Sequence, residues 1–308
     1  MDRVKEMLRV RNALVRECFA EFLGVYILII FGCGAVAQVT TSSQTRGEYL
    51  SINLAFAFGV TFGVHASRGV SGAHLNPAVS LAMCLLGRLP WQKLPVYAFF
   101  QLLGAFVAAA TVYALYRDAI MHYSGGNLTV TGPLETASIF ATYPAPYLSI
   151  FNGFVDQVIG TAALLLCVLA LGDSQNSPAP KGLEPVLVGL LVLVIGLAMG
   201  SNSGYAINPA RDLGPRLFTC AGGWGLEVFS AGRHWWWVPL LGPMVGSLVG
   251  TAVYYLLIEL HHPALKGALE DCRTMNNKYA IELEEETSKP GEVGPEHDQP
   301  AVEPQKLS

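Results

Sequence analysis

Ser71-Gly72-Ala73-His74-Leu75-Asn76-Pro77-Ala78 is echoed 132 positions later by Ser203-Gly204-Tyr205-Ala206-Ile207-Asn208-Pro209-Ala210. Each copy follows a long apolar segment and contains a glycine. An Asn that caps a helix, Pro at the first helical position and small residues behind it mark a helix N-terminus. One copy alone reads as an N-cap followed by a proline. Two copies in equivalent surroundings predict two helix starts that face one another across a pseudo-symmetry axis in a membrane.

Composition supports that setting. Apolar residues make up 52% of the 308 residues and charged residues 14%, against about 45–50% and about 25% in soluble domains, and the mean hydropathy is +0.41. The net charge of −4 arises mostly after Leu265 and gives no reason to expect nucleic acid. The six cysteines are scattered, with no CxxC or His-paired spacing, so neither a disulfide framework nor a zinc site is expected. Basic residues Arg3, Lys5, Arg9, Arg11 and Arg16 precede a first apolar run too long for a signal peptide, which reads as a retained span.

Apolar runs near 17–38, 50–67, 93–115, 151–172, 184–200 and 235–260 predict six membrane spans. Two further stretches, 77–87 and 209–220, begin at the Asn-Pro-Ala motifs and are too short to cross. They predict re-entrant half-helices, tolerated only where broken backbone lines a protein-buried or water-filled path. The expected fold is an all-α membrane protein of two inverted three-span halves. The channel domain is set at 14–262, with halves 14–116 and 150–262, after a cytoplasmic segment 1–13. An extracellular loop is expected at 117–149 and a disordered cytoplasmic tail at 263–308.

The basic N-terminus, with Arg68, Arg88 and Lys93, places both termini in the cytoplasm. Loop 117–149 is then outside, in agreement with the Asn127-Leu128-Thr129 glycosylation sequon. Internal repetition also aligns Ala20-Glu21-Phe22-Leu23-Gly24 with Asp156-Gln157-Val158-Ile159-Gly160.

The chemistry follows from the paired motif. Each half-helix turns unsatisfied N–H groups and roughly half a positive charge toward the centre, repelling cations and protons. Amides of Asn76 and Asn208 can donate to a passing oxygen, and Gly72 and Gly204 permit loops whose carbonyls face a lumen. A polar line on an apolar wall suits small neutral hydroxylic solutes.

Ser71 to Val79 and Gly204 to Arg216 resemble the two signature loops of the aquaporin, or major intrinsic protein, family, a likeness covering about residues 14–262. Asp212, Arg216, Pro239-Leu240 and the long loop 216–234 resemble its glycerol-conducting branch, the aquaglyceroporins. The resemblance implies a passive channel for glycerol, water, urea and other small neutral solutes that excludes ions. It implies a homotetramer in the plasma membrane, with no cofactor. The family's constriction maps onto Phe56, Gly196, Tyr205 and Arg211. A His stands in place of Gly196 in water-selective members, so Gly196 implies a gap for a carbon backbone beside Phe56 and Tyr205. Pore-lining carbonyls are carried onto Gly72, Ala73, His74, Gly204 and Ala206, and buried loop support onto Glu21 and Gln157.

Glu21 is also singled out by its own chemistry, because a carboxylate within a span is costly. His74 is a candidate pH sensor, weighed against a satisfied structural histidine. Trp235-Trp236-Trp237 reads as an interfacial anchor, and Gly242, Gly246 and Gly250 as close-packing positions. No catalytic constellation is present in the sequence. Two rivals stay open: an ion-coupled secondary transporter, which would saturate, and an adhesive relic of a channel, which would carry no flux.

Overall fold

The computed structural model describes residues 6–7 and 9–263, so the expected tail after Pro263 and most of segment 1–8 lie outside the described residues. Each half repeats one order: two long helices, a half-helix, a third long helix. In the first half these are α1 (Ala13–Thr41), α2 (Tyr49–Ser71), α3 (Pro77–Leu85) and α4 (Lys93–Tyr123). In the second they are α5 (Ile150–Gly172), α6 (Glu184–Met199), α7 (Pro209–Thr219) and α9 (Val238–Leu257), with a short helical segment α8 (Glu227–His234) before the last. No strand occurs among the described residues.

Five helical stretches have the length and apolarity to cross a membrane, and the sixth, Glu184–Met199, is apolar but has only 16 residues. At 1.5 Å per residue it spans about 24 Å. Its place in the second half matches that of α2 in the first: α1 packs on α2 as α5 packs on α6. Likewise α1 packs on α4 as α5 packs on α9, while α2 and α6 meet across the halves.

The long helices approach closely because glycine removes a side chain where two backbones touch. A Cβ at Gly104 of α4 would overlap the carbonyl oxygen of Phe22, and one at Gly246 of α9 would lie 2.5 Å from that of Val158. Phe22 and Val158 are equivalent in the sequence repeat, so one glycine-to-carbonyl contact is used twice. Gly242 and Gly250 extend the α9 strip against Gln157 and Ala162.

Three expectations change. Helix α4 runs on to Tyr123, so the segment expected as a loop from 117 begins with seven helical residues. The stretch 216–234 is largely helical: Arg216–Thr219 complete α7, a π-turn covers Cys220–Trp224, and α8 follows, broken at Ala231–Arg233. Trp235 is fully buried rather than interfacial, because Gly153 leaves space for its indole and its Nε1 donates to Thr142 Oγ1 at 3.3 Å.

Gly246→Leu puts four extra carbons into a backbone contact and is expected to cost at least the ~1–3 kcal/mol of an overpacked core. A lowered unfolding temperature in detergent is the expected reading; an unchanged one would mean that α5 and α9 are not held this closely.

Candidate functional site

Both half-helices begin at the expected residue. Asn76 caps α3 through Ala78 N, 2.9 Å from its Oδ1, and Asn208 caps α7 through Ala210 N at 3.0 Å and Arg211 N at 3.2 Å. Pro77 and Pro209 occupy the first turn, where a missing N–H costs nothing. Each cap also reaches into the other half. Asn76 Nδ2 donates to Ile207 O and Asn208 Nδ2 to Leu75 O, both at 2.8 Å. An amide nitrogen carries two hydrogens, so each Asn keeps one N–H beyond this reciprocal pair. Ala78 and Ala210 are fully buried and let the two starts come together.

The loops before the caps share an unusual backbone. Gly72, Ala73 and Leu75 have φ of 87°, 56° and 54°; Gly204, Tyr205 and Ile207 have 76°, 40° and 39°. Left-handed geometry is free for glycine but costs ~1–3 kcal/mol for other residues, and for β-branched Ile207 it is a clear outlier.

Buried polar side chains hold that strain. Glu21, fully buried, accepts four hydrogen bonds: Ser71 Oγ (2.5 Å) and His74 N (2.9 Å) on Oε1, Leu75 N (2.8 Å) and Gln101 Nε2 (2.7 Å) on Oε2. In the second half Gln157 Oε1 accepts Ile207 N at 2.9 Å, while Gln157 Nε2 donates to Ser203 Oγ at 2.7 Å. Asp156 completes this support by accepting Ser203 Oγ (2.6 Å) and Asn202 Nδ2 (3.0 Å). The repeat alignment places Asp156 opposite Ala20, a residue with no polar side chain, so sequence marks Gln157 as support and not its neighbour.

A cavity of about 540 Å³ follows these loops. It is walled on one side by apolar residues such as Leu28, Val60, Val64 and Val192, and on the other by Gly72 to Asn76 and Tyr205 to Asn208. Arg68, Glu184, Arg88 and Lys93 line one end, Phe56, Tyr205 and Arg211 the other. Phe56 and Arg68 are a dozen residues apart on α2, about 18 Å at helical rise. Gly204 does not line the cavity; it packs against Thr142.

At the far end the Arg211 guanidinium lies 4.7 Å from the Phe56 ring centroid, and Tyr205 meets Phe56 edge-on at 6.2 Å. Arg211 Nη1 donates to Phe140 O at 2.9 Å. Gly196 is close by, but its bare face is covered: a Cβ there would overlap Asn53 Oδ1 and stand 2.7 Å from Tyr205 Cζ. The expected gap at Gly196 is therefore filled by the Tyr205 ring, and whatever room it gives the lumen arises because the ring is drawn back. Phe56 is drawn back in the same way, onto the bare face of Gly32. Gly32 carries no motif that marks it in sequence.

The segment bearing Phe140 is fixed by α7 itself. Asp212 accepts Thr142 N (2.8 Å) and Thr142 Oγ1 (2.5 Å) on Oδ2 and Arg216 Nε (2.9 Å) on Oδ1. Arg216 donates onward to Val228 O (2.8 Å) and Thr142 O (2.5 Å). Both side chains are almost wholly buried, 2% and 0% exposed. Sequence marked this pair only as a resemblance; its task is to hold the strap over Arg211.

These features define a class: an inverted-repeat membrane protein with two half-helices meeting end to end beside a long cavity that is polar along one wall. The profile of the Major intrinsic protein family matches residues 8–254, and the chain belongs to that family. It is 58% identical to human Aquaporin-10 over 277 residues, covering 90% of this chain and 92% of that protein. Its identity to human Aquaporin-9 is 53% over 259 residues, 84% of this chain and 88% of that one. Among solved structures it resembles the X-ray structure of the aquaglyceroporin from Plasmodium falciparum, with TM-score 0.73 and 35% identity, covering 80% of this chain and 98% of that one.

Removing the carboxylate of Asp212 strands a buried guanidinium, a change worth about 3–5 kcal/mol, whereas removing both charges leaves no unpaired charge and costs only the hydrogen bonds to the neutral groups of Thr142 and Val228. Asp212→Leu is expected to unfold at clearly lower temperature than Asp212→Leu/Arg216→Met. Equal losses in the two variants would contradict a coupled pair.

Proposed function

We infer that the protein is a passive transmembrane channel that conducts glycerol, water, urea and other small neutral solutes and excludes ions and protons. The observation that carries this reading is the cavity running from the charged mouth to Arg211, with loop backbone and both cap amides on one wall and apolar side chains on the other. A solute with hydroxyls on one side and carbon on the other matches both walls. An ion finds too few partners to replace its hydration, and meets two helix N-termini and the Arg211 charge. The kinship with proteins named aquaporins and with an aquaglyceroporin structure supports the same reading.

In this reading Phe56, Tyr205 and Arg211 form the selectivity filter, with Gly196 acting through the seat it provides for Tyr205. Arg211 donates to solute oxygen while the two rings pack on carbon. Carbonyls of Gly72, Ala73, His74 and Ala206 continue the polar line. The protein sits in the plasma membrane with both termini in the cytoplasm, as a homotetramer with one pore per subunit. Asn127, exposed just beyond α4, carries an extracellular glycan.

Stopped-flow light scattering on proteoliposomes tests this directly. A His at position 196 would collide with Asn53 and drive Tyr205 from its seat into the lumen. Gly196→His is expected to lose glycerol flux and keep water flux; glycerol flux equal to wild type would remove Gly196 from the filter.

His74 extends the reading to regulation. Its Nδ1 lies 3.0 Å from Ser80 Oγ, which also receives Gln101 Nε2 at 3.2 Å, and its ring stands 5.4 Å from that of Tyr97. Its main-chain N–H is held by Glu21, while Glu17 holds Tyr97 and Lys93. In the tautomer with Nδ1 unprotonated, the neutral imidazole accepts the Ser80 hydroxyl proton; an imidazolium can only donate, so acidification then turns the hydroxyl, and in either tautomer it adds charge to the loop. Burial in the loop holds the His74 imidazole below its ordinary value despite the nearby Glu21 and Glu17 carboxylates, so wild-type flux should change as the pH falls below the usual imidazole range near ~6.5, and that of His74→Ala should not. Identical pH profiles for the two proteins would rule this out.

A further inference from the structure

Two buried polar atoms at the constriction have no hydrogen-bond partner: Asn53 Oδ1 and Tyr205 Oη. Asn53 is fully buried and Tyr205 is 7% exposed. Both side chains close on the same spot, the missing Cβ of Gly196. The other end of the Asn53 amide is committed, since Nδ2 donates to Tyr49 O at 2.9 Å. Oδ1 is thereby aimed at the Gly196 face of α6. Gly200, one turn further on, continues the bare strip: its absent Cβ would lie 2.9 Å from Tyr205 Cδ1 and would overlap Tyr49 Oη. Tyr49 Oη in turn donates to Gly196 O at 3.2 Å. Gly196 and Gly200 thus form a shallow seat, with the Tyr205 ring on it and an unspent acceptor beside it.

We propose that Asn53 is a positioning residue for solute selectivity: its Oδ1 accepts the Tyr205 hydroxyl, directly or through one trapped water, and so latches the ring on the Gly196–Gly200 seat. The proposal rests on reading Phe56, Tyr205 and Arg211 as the constriction. An unpaired donor and an unpaired acceptor buried beside the same bare glycine face each carry a desolvation cost that one bond, or one bridging water, removes. Beyond contact with the glycine seat, nothing polar among the described residues fixes the Tyr205 ring, because its hydroxyl has no partner. Its neighbour Phe56 touches it only edge-on at 6.2 Å, and its backbone is already held in a strained conformation at φ 40°. With the latch made, the ring stays back and the lumen admits a carbon backbone. With the latch lost, the ring turns about its own bonds toward Arg211 and narrows the path, which penalises glycerol more than water. Asn53 does not line the cavity, so its effect passes through Tyr205.

The test is a double-mutant cycle on purified full-length protein in liposomes, read as the ratio of glycerol to water permeability. Tyr205→Phe removes one oxygen and leaves the packing volume nearly unchanged, so it reports even where Asn53→Ala fails to fold. Each single variant should lower the ratio by roughly twofold to tenfold, the range expected for one hydrogen bond. The double variant should fall no further than the lower single one. Tyr205→Phe with the wild-type ratio, or two effects that multiply, overturns the latch while leaving the channel reading intact. A wild type that passes water but no glycerol overturns the channel reading and the latch with it.

Discussion

A carboxylate in the middle of a membrane protein is tolerable only where every lone pair is engaged, and Glu21 meets that condition with four donors. The rest of the site depends on it. Leu75 sits at φ 54°, and its N–H is one of those four donors; without the carboxylate, strain and an orphaned buried N–H would fall on the same residue. Gln157 does this for Ile207 with a neutral amide, helped by Asp156. Two different chemistries thus produce one backbone shape. The shared requirement is an acceptor at the main-chain nitrogen just before each capping asparagine.

Once the loops are held, the asparagines have no freedom left. Each oxygen caps its own helix and each nitrogen binds the carbonyl that precedes the opposite cap. The two halves are therefore locked by a reciprocal pair at the point where two helix N-termini converge. That convergence concentrates positive potential beside the cavity and leaves each amide one hydrogen for a passing oxygen. Cation exclusion and solute binding stem from one arrangement.

At the constriction the governing device is the glycine seat. Phe56 rests on Gly32 and Tyr205 on Gly196, so two large rings border the path without filling it. Arg211 is fixed from the other direction, through Phe140 O on a strap that the buried Asp212–Arg216 pair ties to α7. Width at this level is the outcome of packing behind the lining residues.

The duplicated Asn-Pro-Ala loops, the apolar runs and the aligned Glu21 and Gln157 were legible in sequence because each rests on a local rule: a cap, a helical rise, a charge that hydrocarbon does not tolerate. Those rules determined the inverted repeat, the two half-helices and the residues at their starts. Other features were decided by the tertiary structure alone. Trp235 reads as an interfacial anchor until Gly153 is found to leave a slot for its ring, and Gly196 reads as an open gap until Tyr205 is found lying on it. Gly32, Asn53 and Thr142 carry no local signature at all. Their roles are contacts between segments distant in the chain, and such contacts exist only when long-range packing brings the segments together; a bare glycine face acquires meaning from the side chain that fills it.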